Sequence, residues 1–420
     1  MPSFAEIDTN VIRSEPDTAV TRARAHFLLL NVGHLLDHLV TLVFASVAAL
    51  ALAREWGMSY AELIAYATPG FIAFGIFSYP AGRLADRWSR EGMMVVFFLG
   101  IGLGSLAAAA ARTPLEMGLA LFVVGVFAAI YHPVGLALVV DGAERTGMAL
   151  ALNGIWGNLG VGGAALVTGL FIDAGGWRSA FLWPGLVSIA LALVYAALMW
   201  PEISRPAIAA ARRNGAAPSG PAAVVDRRLV QRVTAVILIS IAISPLVFQA
   251  TTFALPKILE ERLSGIAVSA GLIGWAAFVI AAVASLAQLL VGHLIDSLGP
   301  RRMFLSVTAV QAAAFAAMPG LTDWAALLVA LAFTVGIFGQ LPINDFMIGR
   351  MAPADKRATI YGARFVVTFT ALALALPLIG FVHERWGFDT LFRLLTLVAA
   401  TVFVAALMLP ARLPEPRPAT

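Results

Sequence analysis

The sequence predicts an all-α integral membrane protein, with twelve transmembrane helices arranged as two pseudo-symmetric six-helix halves. Three observations carry that expectation. Of 420 residues, 60% are hydrophobic and only 12% charged, and the mean hydropathy is +0.88. A soluble domain carries about a quarter charged residues, so this much apolar surface points to a bilayer. The apolar residues gather in twelve runs of the length a spanning helix needs, roughly 20 residues. One loop sequence then occurs twice, as Gly82-Arg-Leu-Ala-Asp86 and again 210 positions later as Gly292-His-Leu-Ile-Asp296.

The runs are 25–52, 61–82, 92–111, 115–140, 147–172, 179–200, 231–259, 269–292, 302–319, 324–349, 358–382 and 388–410. Short connections marked by Gly, Pro and charged residues separate most of them. Residues 1–24 are polar and mixed in charge, with no apolar core of a signal peptide, and read as a cytoplasmic tail. The two halves are 25–200 and 231–410, and 411–420 forms a second tail. Between the halves, 201–230 is rich in Arg, Pro and Gly and reads as a cytoplasmic linker.

A net charge of +4 suggests nucleic acid, but the basic residues sit at helix ends. They favour one side: Arg22, Arg24, Arg83, Arg87, Arg90, Arg145, the linker arginines, Arg301, Arg302, Lys356 and Arg357. By the positive-inside rule that side is the cytoplasm, with both termini on it. Cysteine is absent, which excludes disulfides and thiolate chemistry. The chain carries no nucleotide-binding loop and no nucleophile motif, so no enzymatic activity and no cofactor are expected.

The 210-residue shift also pairs Ser59 with Ser269 and Thr41 with Thr251. Internal duplication in a helical membrane protein marks a transporter, with its solute site between the halves near the midplane. Ionisable side chains at that depth are costly and usually functional. The first run holds His34, Asp37 and His38, and Asn31, His34, His38 and Thr41 form one stripe at helical spacing. Asp37 lies roughly 18 Å into its helix, and His132 roughly 12 Å from the nearer end of the fourth run. A buried carboxylate with nearby histidines suits proton coupling. His34 and His38 at i, i+4, with Asp37 and His132, also offer a weaker divalent-metal pattern. The other candidates for substrate or proton coupling are Asn153, Asn158, Gln249, Asn344, Asp345 and Arg364. Arg364 is expected either to bind an anionic group or, preferentially, to pair with Asp345.

The two loop copies resemble the signature of the major facilitator superfamily, which runs roughly Gly-x-Leu-Ala-Asp-Arg-x-Gly-Arg. Ser89 replaces its glycine in the first copy, and Pro300 and Arg301 stand at the basic position in the second. The resemblance implies a latch between access states, carried by Gly82, Asp86, Arg90 and Asp141 and, in the second half, by Gly292, Asp296 and Arg301. His34-x-x-Asp37, Tyr131-His132-Pro133 and Gly157-Asn158-Leu159-Gly160 together resemble the fosmidomycin-resistance branch, with Tyr131 in place of its phenylalanine. Residues 157–160 are also similar to the glycine-rich antiporter signature, with Asn158 where that motif carries proline.

The expected function is therefore secondary transport by alternating access in the cytoplasmic (inner) membrane, as proton-coupled export of a small organic or drug-like compound. The expected partners are that solute, protons and the lipid bilayer, with no nucleic acid, and the expected state is monomeric. The alternatives are uptake of an organic anion or divalent metal ion by the same fold, or a non-transporting sensor or assembly component.

Overall fold

In the computed structural model, residues 10–141, 146–205, 227–351 and 357–410 are described, and these are helical with no strand among them. Ten stretches are long and apolar enough to cross a membrane. In chain order the first six are α1 (Thr21–Glu55), α2 (Tyr60–Arg87), α3 (Arg90–Ala110), α4 (Pro114–Val140), α5 (Ala149–Gly175) and α6 (Trp177–Ser204). The second half holds α7 (Ala235–Thr252), α8 (Ala270–Ile295) and α10 (Asp323–Asn344). Between the last two lies α9 (Pro300–Ala317), a further helix of 18 residues. The last apolar stretch, Arg364–Leu407, is interrupted at Gly387 and so supplies two helices, α11 up to 386 and α12 from 388. The architecture is the predicted twelve-helix bundle.

Gly387 has φ 71° and ψ 177°, a region that is essentially restricted to glycine. Gly387→Ala is expected to destabilise the protein by about 1–3 kcal/mol, read as a lower melting temperature in detergent. An unchanged melting temperature would show that the α11–α12 corner tolerates a side chain.

Helical backbone begins earlier than the first apolar run, at Asn10. Arg22 holds this extension to α6 by donating to the Leu198 carbonyl at 2.9 Å and pairing with Glu202. The tail 1–24 is thus helical from Asn10 onward, and Arg22 ties its last turns to α6. Of the predicted linker, 206–226 lie outside the described residues, as do 1–9 and 411–420.

The outer surface is apolar. Leu115, Leu193, Leu328 and Leu397 are all about two-thirds exposed (67%, 69%, 65% and 66%), a pattern suited to lipid rather than water. The halves meet along two seams, α5 with α8 and α2 with α11. On the first seam Asn158 Nδ2 donates to Gln288 Oε1 at 2.6 Å. On the second, the Phe74 and Phe369 rings stack at 4.1 Å. The 210-residue relation is visible locally. Ser59 and Ser269 both cap helix N-termini, accepting from Glu62 N and Leu272 N. Thr41 and Thr251 both donate back to the carbonyl four residues earlier, Asp37 at 2.8 Å and Val247 at 2.7 Å.

One end of the bundle carries the 82–90 and 292–301 loops and is called here the motif end. The other, carrying the α1–α2, α5–α6 and α7–α8 connections, is the far end.

Candidate functional site: a buried His–Asp cluster

α1 brings His34, Asp37 and His38 to the interior, and α4 brings His132. Pro133 has no N–H to donate within α4, and the helix there widens into a π turn over Tyr131–Gly135. Such turns recur at functional positions. The widened turn places the His132 ring 5.4 Å from His34 and 5.6 Å from His38, centroid to centroid. One ligand nitrogen from each of the three histidines lies within 4.8 Å of the others. α1 and α4 therefore converge at these side chains.

Asp37 is 0% exposed, and neither of its oxygens accepts a hydrogen bond among the described residues. Its Oδ2 lies 3.6 Å from His132 Nε2, beyond hydrogen-bond reach. His34 Nε2 and His132 Nε2 are also buried without a hydrogen-bond partner. Buried polar atoms are normally paired, so four such atoms in one place make this the candidate site. Three imidazoles and a carboxylate could accept protons, hydrogen-bond a solute, or hold a transition metal.

The other side of His34 is firmly held. Its Nδ1 lies 2.8 Å from the Asn153 carbonyl oxygen, and its ring stacks on Tyr131 at 4.8 Å. Asn153 Nδ2 donates to Asn31 Oδ1 and to Tyr131 Oη, both at 2.9 Å, and Tyr131 Oη–H donates to the Leu30 carbonyl at 2.8 Å. A carbonyl acceptor at Nδ1 puts the ring proton there and leaves Nε2 as the acceptor without a hydrogen-bond partner. α5 can approach this closely because it is glycine there. A Cβ on Gly157 would sit 2.6 Å from His34 Nε2, and one on Gly160 would sit 2.2 Å from the Leu35 carbonyl oxygen.

The second half closes over the cluster with aromatic rings. Phe365 and Phe369 of α11 lie 5.4 Å and 5.8 Å from His132. Arg364 sits beside them, with its guanidinium carbon 6.0 Å from the Phe365 centroid. Its expected partner Asp345 has a side chain outside the described residues. Asn344 belongs elsewhere: it accepts from Ser240 Oγ at 3.0 Å, in a network where Gln340 donates to Ser244 at 2.7 Å and Gln311 donates to Gln340 at 2.9 Å. No described contact joins this network to the histidines. Gln249 is buried with Nε2 unpaired, and Asn158 serves the seam between the halves. Gln288, Phe365 and Phe369 were not marked by the sequence, since each acts only by contact with the opposite half.

At the motif end, Arg90 bridges two carboxylates. It donates to Asp86 Oδ1 at 2.9 Å and to Asp141 Oδ2 at 3.2 Å. These residues belong to α2, α3 and the end of α4, so the described network ties helices within one half. Gly82 packs on Pro133, with a would-be Cβ contact of 3.3 Å, whereas Gly292 faces open space. The Asp296 side chain lies outside the described residues. Arg301 lines a cleft with Arg232 and the end of α12, Leu407–Pro410.

The family profile described as Major Facilitator Superfamily matches residues 30–271 and 237–420. The chain belongs to this superfamily. Among solved structures it is similar to the xylose transporter XylE from E. coli in a partially occluded inward-open conformation, with a TM-score of 0.67 and 11% identity over 91% of this chain and 98% of that one. It is similarly like a POT family transporter in complex with 5-aminolevulinic acid, with a TM-score of 0.69 and 12% identity over 91% and 95%. At such identity the likeness shows the fold. Among superfamily members by sequence, it is 35% identical to the puromycin resistance protein pur8 of Streptomyces alboniger over 32% of this chain and 27% of that protein. It is 31% identical to the 4-hydroxybenzoate transporter PcaK of Pseudomonas putida over 40% and 38%. A multidrug resistance protein B homolog of Mycobacterium tuberculosis is 32% identical over 40% and 31%. Each match spans less than half the length of the relative. Together they support a secondary transporter of small solutes in a membrane.

Proposed function

We propose that the chain is a proton-coupled exporter of a small organic, drug-like compound, in which Asp37 is the coupling group. The observation behind this is the unpartnered Asp37 carboxylate beside His34, His38 and His132, on the face where α11 closes over α4. A bare carboxylate is costly at that depth. Neutral Asp37 tolerates closure of the two halves, whereas ionised Asp37 calls for water or a cationic partner. Charge state and access state are thereby coupled, and a proton gradient can bias the rocking of one half against the other. Export follows the puromycin- and multidrug-resistance relatives, and the fosmidomycin-type motif pattern is consistent with it. In this reading the protein is a monomer in the cytoplasmic membrane with both termini inside, and the Asp86–Arg90–Asp141 network braces the first half as it rocks.

A second reading is uptake of an aromatic carboxylate, favoured by the 4-hydroxybenzoate relative and by Arg364 beside the Phe365–His132–Phe369 rings. Proteoliposomes with an imposed proton gradient separate the two. The export reading expects puromycin-class cations or neutral drugs to move against the proton flux. Accumulation of 4-hydroxybenzoate along with protons, and no movement of drugs, would replace it with the second. Zinc titration of purified protein covers the metal reading: saturable binding that disappears in His34→Ala would make the cluster a metal site and overturn the proton role.

A further inference from the structure

α2 and α8 are equivalent helices that begin at the far end, and each is capped by its own serine. In α2 the cap is a reciprocal box: Ser59 Oγ accepts from Glu62 N at 3.2 Å, and Glu62 Oε2 accepts from Ser59 N at 2.7 Å. In α8, Ser269 Oγ accepts from Leu272 N at 3.2 Å. The position equivalent to Glu62 under the 210-residue shift is Leu272, which accepts nothing. The additional acceptor comes from the other half of the molecule. Asp173, at the end of α5, accepts from Gly271 N at 2.7 Å.

The local sequence is adapted to this bond. A Cβ on Gly271 would lie 2.6 Å from Asp173 Oδ2, and the equivalent residue in α2 is Ala61. A Cβ on Gly169 would lie 2.2 Å from the Ala270 carbonyl oxygen, so the two backbones meet just beside the bond. The equivalent of Asp173 on the other seam is His383. It lies 5.7 Å from the Tyr60 ring, but pairs with Glu261 of its own half at 2.9 Å. The remaining charged contact across the far end among the described residues, Arg54 with Glu260 at 3.5 Å, has an arginine side chain 85% exposed, and such pairs contribute little.

We propose that Asp173 is a positioning residue for transport. By capping the N-terminus of α8 from across the interface, it holds the far end shut. The carboxylate meets an unsatisfied N–H and the positive end of the helix dipole together. Opening the far end parts α5 from α8 and breaks the bond. This rests on the reading of the chain as an alternating-access transporter, but its test needs no substrate.

The chain has no cysteine, so Arg112→Cys and Thr322→Cys place one spin label on each half at the far end. Distances between them are measured by pulsed electron resonance in wild type, Asp173→Ala and Asp173→Asn. Asp173 is itself exposed, so loss of its hydrogen bond is expected to raise the ratio of long to short distances about threefold in Asp173→Ala. Leu272→Glu, added to Asp173→Ala, supplies α8 with its own capping box. It is expected to restore the melting temperature without restoring the short distance. Unchanged distances in both Asp173 variants would overturn the proposal. So would recovery of the short distance by Leu272→Glu, because Asp173 would then only stabilise a helix. If the distances respond and no solute moves in vesicles, the transport reading fails while the latch stands.

Discussion

Asp37→Asn is expected to abolish gradient-driven transport while leaving solute exchange intact. The amide matches the carboxyl in shape and sits where no described group donates to it, so the fold should be preserved. What is lost is the ability to alternate between charged and neutral forms. Net uptake into vesicles under an imposed proton gradient should fall to the level of empty vesicles. Counterflow of labelled solute, which needs only rocking, should continue. If Asp37→Asn vesicles still concentrate solute under the gradient, Asp37 is not the coupling group. The neighbouring histidines sharpen the test. His34 is pinned by Asn153 and Tyr131, whereas His132 is held mainly by rings, so His132→Gln should impair coupling with less effect on stability than His34→Gln.

Gly160→Ala is expected to have the largest structural effect of any single methyl group at the site. The added Cβ would lie 2.2 Å from a backbone oxygen of α1, at Leu35, which cannot rotate away. α1 and α5 must separate, at a cost of about 1–3 kcal/mol typical of overpacking. Because the Asn153 carbonyl that holds His34 rides on α5, the same separation should disorder the cluster and slow transport. Gly163→Ala is the control: its nearest neighbour is Leu39 Cδ1 at 3.8 Å, ordinary contact distance. Equal melting temperatures for the two variants would show that the α1–α5 approach is not set by glycine.

Much of the fold was legible because lipid imposes a length and a composition on each helix. α9 and the α11–α12 corner were read correctly from apolar runs, although α9 falls outside the ten stretches set apart by length and hydropathy, and α11 and α12 form one of them. The contact of Asp86 with Arg90 was legible from their place in one loop, whereas that of Arg90 with Asp141, 51 positions away, was expected only from the superfamily resemblance. The stripe on α1 was legible from helical spacing. Its meeting with His132 depended on the packing of α4, and the Phe365–Phe369 cover depends on residues more than 200 positions away. The Asn344 network shows the limit of polarity as a signal. Asn344 is a candidate for solute contact by its polarity, yet it belongs to a network with Ser240, Ser244, Gln311 and Gln340 whose members bond chiefly to one another. The exchange of Glu62 for Leu272 emerges only when the two helix caps are compared. Its meaning depended on Asp173, which no sequence spacing connects to α8.

The π turn at Tyr131–Gly135 has a consequence for how α4 is phased. A turn with one surplus residue rotates everything beyond it by about 100° relative to a regular helix. The segment before the turn and the segment after it therefore keep separate bearings. One bearing aims His132 inward at Asp37, and the other delivers Asp141 to Arg90 at the membrane edge. Removing a single residue from the turn, such as Val134, would swing Asp141 off Arg90 while leaving His132 in place. The surplus residue makes one helix serve two stations whose angular demands a regular spiral could not meet at once.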